Sequence, residues 1–204
     1  MFITFEGLDY SGKSTQANLL VARLQQEGKR VVFLREPGGT TISEKIRAIL
    51  LDRKNLEMSQ LAELFLFEAA RTQLVSEVIQ PALQVGKLVV CDRFYDSTTV
   101  YQGYGRGLNL EEVTSINRLA ILGTTPDVTF LIDVDSKEIK RRQTAASVGA
   151  DRMESSGDDF YEKVRAGYHR IAEAEPNRFK VINGIRAKEE IHNEIWNIIM
   201  MKLT

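Results

Sequence analysis

Eight residues near the start of the chain, Gly7-Leu8-Asp9-Tyr10-Ser11-Gly12-Lys13-Ser14, constrain the fold more than any other stretch. They follow an apolar run, Met1 to Phe5, that reads as a buried strand. They precede Gln16 to Glu27, where Leu19, Leu20, Arg23 and Leu24 have the spacing of an amphipathic helix. Strand, glycine-bounded loop and helix in this order give the G-x-x-x-x-G-K-[ST] phosphate cradle. Glycines at both ends let successive amide N–H groups curl toward one point. The next helix adds its N-terminal dipole. Lys13 supplies a point charge for β- and γ-phosphates, and Ser14 a hydroxyl for Mg²⁺. The plain alternative, a chance match in an ordinary glycine turn, does not explain the correct flanking elements.

The rest of the chain alternates in the same way. Arg30 to Leu34, Lys87 to Cys91, Asp127 to Val134 and Arg178 to Ile182 read as further strands. Ile42, Ile46, Ile49 and Leu50 mark a short helix, and a longer one runs from Ser59 to about Val85, kinked or ended by Pro81. A polar segment through Gln102 and a glycine-rich turn at Gly103 to Gly107 come next, then a helix near Leu110 to Leu122. Asp135 with Glu138 resembles a capping box opening another helix. A helix from Asp159 to Glu175 and a last one with Ile191, Ile195, Ile198 and Ile199 on one face complete the pattern. This alternation predicts an α/β fold, a parallel sheet covered on both faces. No repeat or linker divides it, so residues 1–204 are expected to form one domain.

Lys plus Arg number 27 and Asp plus Glu 28, so the net charge of -1 gives no reason to expect a nucleic-acid polymer or a membrane surface as partner. No apolar run is long enough for a bilayer, and the first run, broken by Glu6 and without a basic leader, does not read as a signal peptide. The single Cys91 excludes an internal disulfide and reads as a small buried hydrophobe. A cytoplasmic protein is expected. His169 and His192 lack partners at metal spacing and read as surface residues, so no Cys/His metal site is expected.

Three constellations extend the phosphate loop. The strand Leu88 to Cys91 ends in Asp92-Arg93. A carboxylate there suits a nucleotide-bound Mg²⁺, and Arg93 could grip a second phosphoryl group in bidentate fashion. On the long helix Leu64, Phe67, Arg71, Leu74 and Val78 share a stripe. Phe67 would stack on a planar base and Arg71 donate to its carbonyl edge; the alternative is a core Phe and an Arg paired with Glu68 or Glu36. Lys137, Lys140, Arg141, Arg142 and Arg152 form a basic group. It reads either as a solvated helix end or as a mobile lid over about 142–157, with Arg152 neutralising a transferred phosphoryl group. No Asn-Lys-x-Asp guanine reader and no His-Arg-Asp kinase loop is present. A phosphate monoester, with a second pKa of about 6, attacks without a general base, which favours a nucleotide acceptor.

Phe5-Glu6-Gly7-Leu8-Asp9 through Gln16, Arg35-Glu36-Pro37-Gly38-Gly39-Thr40, Leu64 to Arg71, Asp92-Arg93-Phe94 with Ser97, Tyr101-Gln102-Gly103-Tyr104-Gly105-Arg106-Gly107 and Asp151-Arg152-Met153-Glu154 together resemble the bacterial thymidylate kinase family. That resemblance implies a P-loop kinase fold with a five-stranded parallel sheet, a flexible lid and, usually, a homodimer. It implies ATP as donor, dTMP as acceptor and Mg²⁺ as cofactor. Gly7, Leu8, Asp9, Tyr10, Ser11, Gly12, Lys13, Ser14 and Thr15 would hold ATP with Arg141 and Arg142. Phe67 would stack on thymine and Arg71 donate to its O4, with Thr98 and Gln102 at the pyrimidine edge and Tyr101 against the 2′ position. Arg93 would bind the acceptor phosphate. Asp9 would take the acceptor sugar or the metal's water shell, and Glu36, Pro37, Arg47 and Ser97 would line the pocket. Lys13, Arg93, Arg152 and Asp9 would be catalytic, with Ser14 and Asp92 serving Mg²⁺. Tyr10 stands where the family carries arginine or glycine, so the lid arginines would supply the catalytic cation. Two alternatives stay open: a kinase for another nucleotide or deoxynucleoside, and a nucleotide-gated module without catalysis.

Overall fold

The computed structural model describes residues 1–146, 152 and 157–203. The anticipated lid residues 147–151 and 153–156 lie outside them. Five parallel strands form one sheet in the order β2-β3-β1-β4-β5: β1 is Phe2–Glu6, β2 Val31–Arg35, β3 Leu88–Asp92, β4 Val128–Asp133 and β5 Phe179–Asn183. Alternate side chains leave opposite faces of each strand, and here both faces are covered. Ile3 and Phe5, Val90, and Phe130 and Ile132 pack on α1 (Lys13–Gln26) and α9 (Lys188–Leu203) through Leu20, Leu24, Ile191, Ile195 and Ile199. Phe2, Val89 and Cys91 face the other way, onto Leu74, Val75 and Ile79 of the long helical segment. On that side Leu131 meets Tyr168 and Val164 of α8 (Asp158–Ala174). Burial on both faces explains why the inner strands β1, β3 and β4 read as nearly unbroken apolar runs, while the edge strands β2 and β5 stay partly exposed.

The long helix anticipated from Ser59 to Val85 is one continuous rod with a π-turn inside it: α3 (Gln60–Leu74), the π-turn Val75–Ile79, and α4 (Gln80–Gln84). Pro81 neither ends nor breaks it, because the wider turn just before Pro81 absorbs its missing N–H. The polar segment and glycine-rich turn anticipated up to Gly107 are instead helical. α5 (Tyr95–Thr98) runs into a π-helix, Thr99–Gly105. The glycines there serve close packing: a Cβ on Gly105 would sit 2.5 Å from the Phe160 ring, and one on Gly103 2.6 Å from Leu110. The remaining helices are α2 (Thr41–Leu51), α6 (Leu110–Ala120) and α7 (Ser136–Ala146). At α7 only half of the expected capping box forms. Asp135 caps the Glu138 N–H at 2.9 Å, but the Glu138 carboxylate turns to Arg141 and Arg142. Both histidines are partly exposed on the surface, and His169 Nε2 lies 3.2 Å from Asp133.

Candidate active site

The chain builds β2 and β3 on one side of β1 and then crosses to β4 on the other. Such a reversal opens a crevice at the carboxyl ends of the strands. Into it run the loop after β1, Asp92-Arg93 after β3 and Glu36 after β2. In the loop Gly7 has φ +140° and Gly12 φ +97°. A Cβ on Gly7 would stand 2.6 Å from the Ile132 carbonyl oxygen, so only glycine lets the loop lie on the end of β4. Tyr10 takes φ +64°, a conformation that costs a side-chain residue about 1–3 kcal/mol; its ring packs on the α8-side cluster. Helix α1 starts at Lys13 with no side-chain cap and no acidic residue in its first turn. Its leading N–H donors and positive dipole end therefore suit an anionic ligand.

Charged side chains close round this point. Lys13 Nζ lies 3.3 Å from Asp9 Oδ1. Ser14 Oγ donates to Asp92 Oδ2, while Asp92 Oδ1 is buried without a hydrogen-bond partner among the described residues. Arg93 sits at φ +72°, and its guanidinium reaches Asp9 at 2.7 Å, Ser97 Oγ at 2.9 Å and the hydroxyls of Tyr101 and Tyr168 at 3.2 Å each. Burial works against a charge on Asp9, but Arg93 and Lys13 together hold its carboxyl well below the usual range. Behind Arg93 lies Glu6, fully buried, which accepts from Phe94 N, Ser97 Oγ and the Tyr168 hydroxyl at 2.6–2.7 Å. Burial and the nearby Asp96 push Glu6 up to about 7.

Farther along the crevice Arg71 is buried at 2% exposure. It donates to Glu36 Oε2 at 2.8 Å, to Thr98 Oγ1 at 3.0 Å and to Glu68. Sequence left Arg71 open between a base contact and an ion pair with Glu68 or Glu36. Both ion pairs form, and Arg71 still lines the crevice beside Phe67. One guanidinium faces two buried carboxylates, and burial pushes Glu36 up to about 7 despite Arg71.

One cavity of about 190 Å³ spans these groups, from Asp9, Lys13 and Ser14 at one end to Phe67, Arg71, Thr98 and Gln102 at the other. Glu36, Pro37, Arg47, Asp92, Arg93, Ser97 and Tyr101 lie between. A second, open cavity on the far side of the loop is lined by Tyr10, Gly12, Lys13, Ser14, Thr15 and Arg142. Lys13 and Ser14 belong to both. Two ligands can thus meet at one lysine, which is the geometry of group transfer between them.

A sequence profile of thymidylate kinases matches residues 5–195. The thymidylate kinase of Chlorobaculum parvum is 48% identical over 98% of this chain and 95% of its own, and that of Chlorobium luteolum 50% identical over 94% and 93%. The crystal structure of thymidylate kinase from Ehrlichia chaffeensis superposes with a TM-score of 0.79 at 38% identity, covering 98% of both chains. The chain belongs to the thymidylate kinase family.

For a thymidylate kinase of this type, two anticipated arginines stand in unexpected places. Arg141 is exposed, tied to Glu138, and lines neither cavity. Arg152 is buried: its Nε donates to the Leu50 carbonyl at 2.7 Å and its Nη1 pairs with Glu63 at 2.6 Å. It too lines neither cavity. A carboxylate buried on α3 needs a compensating charge, and Arg152 supplies one in this structure. Arg142, by contrast, is at the loop, donating to the carbonyls of Ser11 at 3.0 Å and Gly184 at 2.9 Å. Sequence reading missed Glu6, Glu63 and Tyr168. Glu6 carries a visible signal, a lone acid closing an apolar strand. Glu63 and Tyr168 sit in ordinary helical positions and carry none.

Proposed function

We infer that the crevice carries the family's reaction, transfer of the terminal phosphoryl group of ATP to dTMP, giving ADP and dTDP. The observation that supports it most is the shared Lys13–Ser14 border between the two cavities. ATP would lie on Gly7 to Thr15, with its phosphates on the loop amides, Lys13 and Arg142. The dTMP base would lie against Phe67, its phosphate on Arg93. An oxygen of that phosphate attacks the terminal phosphorus of ATP in line as the bond to the β-phosphate oxygen breaks, and a dianionic acceptor needs no base. Lys13, Arg93 and the amides at the start of α1 stabilise the charge spread over the moving group. The Ser14 hydroxyl and the unpartnered buried Oδ1 of Asp92 are hard oxygen donors that fit Mg²⁺, with the nucleotide supplying other ligands. A Mg²⁺ ion held there would supply further charge neutralisation.

An acceptor panel with ATP tests this reading. The highest kcat/KM is expected for dTMP; a higher value for dUMP, dCMP or thymidine would overturn the assignment. A homodimer belongs to the same proposal: Ile42 and Ile49 on α2 and Leu61 and Phe65 on α3 are exposed apolar side chains that a second copy would cover. Sedimentation at micromolar concentration checks it. Among the described residues no helix is long and apolar enough to cross a membrane, and the proposed location is the cytoplasm.

A further inference from the structure

Glu63, in the first turn of α3, is 2% exposed and does not line the crevice. Its Oε1 accepts from Gln102 Nε2 at 2.9 Å and from Arg106 Nε at 3.3 Å, and its Oε2 takes Arg152. Gln102 is 1% exposed and does line the crevice, in the company of Phe67, Arg71 and Thr98. An ionised carboxylate only accepts hydrogen bonds. The end of the Gln102 amide that meets Glu63 must therefore be the nitrogen, whichever way round the amide is drawn. With the nitrogen held there, the amide oxygen is the end left for the crevice. Arg106 and Arg152 anchor the carboxylate from its other sides.

We propose that Glu63 is a positioning residue for base selection: it fixes the Gln102 amide so that the crevice offers an acceptor and favours a ring edge bearing an N–H. The inference rests on the reading that Gln102 faces the base. Thymine and uracil carry a donor at N3, whereas cytosine has a bare lone pair there. A fixed carbonyl oxygen accepts from the first and repels the second. A buried polar mismatch of this kind discriminates far more strongly than lost apolar contact does.

The experiment measures dissociation constants of dTMP and dCMP by calorimetry for the native chain, Glu63→Gln, Gln102→Ala and the double variant. A glutamine at 63 can both donate and accept, so it releases the Gln102 amide to turn. The dCMP-to-dTMP ratio is expected to fall at least fivefold in Glu63→Gln, to fall also in Gln102→Ala, and to fall no further in the double variant. If Gln102→Ala changes the ratio and Glu63→Gln weakens both ligands equally, Glu63 is merely structural and the proposal is overturned. A further fall in the double variant overturns it too, since Glu63 would then act by another route. An unchanged ratio in Gln102→Ala removes the underlying base reading instead. Should Glu63→Gln fail to fold, N3-methyl-dTMP, which lacks the imide proton, decides with the native chain. It is expected to bind at least tenfold more weakly than dTMP, and equal binding overturns the proposal.

Discussion

Arg93 Nη2 and Asp9 Oδ1 meet at 2.7 Å, joining the end of β3 to the loop after β1, and the same carboxylate oxygen lies 3.3 Å from Lys13. One anion thus separates Lys13 from Arg93, the cations of the proposed donor and acceptor sides. Asp9→Asn keeps the shape and removes the charge, leaving Lys13 and Arg93 to repel each other. The expected outcome is a loss of kcat by a factor of about 100 or more with both nucleotide KM values altered. Steady-state kinetics with each substrate varied checks this; a change confined to one nucleotide would place Asp9 on one side only.

Tyr168 should act through Arg93. Its hydroxyl lies 3.2 Å from Arg93 Nη1, 3.0 Å from Ser97 Oγ and 2.7 Å from Glu6 Oε2. Tyr168→Phe deletes only that oxygen from a fully packed site. Weaker dTMP binding by roughly fivefold, about 1 kcal/mol for one hydrogen bond, is expected with ATP affinity unchanged. In an Arg93→Ala background the same change should cost dTMP binding nothing, and an equal cost in both backgrounds would refute the coupling.

Arg71 bears on stability as well as on ligand binding. Its removal leaves Glu36 and Glu68 buried, 4% exposed each, without their cation. Arg71→Ala is expected to destabilise the fold by about 3–5 kcal/mol, and Arg71→Ala with Glu68→Gln to recover part of it. Urea unfolding measures both. A loss under 1 kcal/mol in the single variant would mean that the crevice rearranges freely round the missing charge.

Much of this architecture was legible in the residues, for reasons the structure makes physical. β1, β3 and β4 read correctly because each is buried on both faces, the half-exposed edge strands β2 and β5 because apolar and β-branched residues still gather in them, and the phosphate loop because its glycines answer a backbone need at Gly7 and Gly12. The helix through Gln102 was misread because Gly103 and Gly105 look like turn residues, whereas their missing Cβ atoms make room for Leu110 and for Phe160, the latter far off in sequence. The pairing of Arg152 was hidden for a similar reason. Its partner Glu63 lies 89 positions away and betrays itself by no local pattern. Local chemistry shows in a single sequence; pairings across the fold do not.

Asp92 offers a test of the metal reading. Its Oδ2 accepts from Ser14, and its Oδ1 is buried with no hydrogen-bond partner among the described residues. Asp92→Asn replaces a charged oxygen donor by a neutral amide. The Mg²⁺ concentration for half-maximal rate is expected to rise about tenfold or more, with dTMP affinity measured without metal unchanged. An unaltered Mg²⁺ dependence would remove Asp92 from the metal's surroundings.

Stability should fall as pH rises from 4.5 to 7. Burial pushes Glu36 from 4.5 up to about 7, and among the described residues its Oε1 has no hydrogen-bond partner to favour the charged form. The folded chain therefore holds a proton that the unfolded chain has already lost over this interval. The contribution is fully present below the unfolded value and is lost as pH climbs through the folded one. For a displacement of this size it is on the order of 3 kcal/mol. Glu6, also raised to about 7, acts in the same window with the same sign. Asp9 is displaced downward, so its contribution disappears only in more acid solution, below the window. Urea unfolding at pH 5, 6 and 7 should give a descending series, and Glu36→Gln, neutral throughout, should flatten it while Glu6 keeps a residual slope. An identical slope in native chain and variant would mean that Glu36 stays ionised beside Arg71 throughout, and that the guanidinium overcomes the burial of its partner.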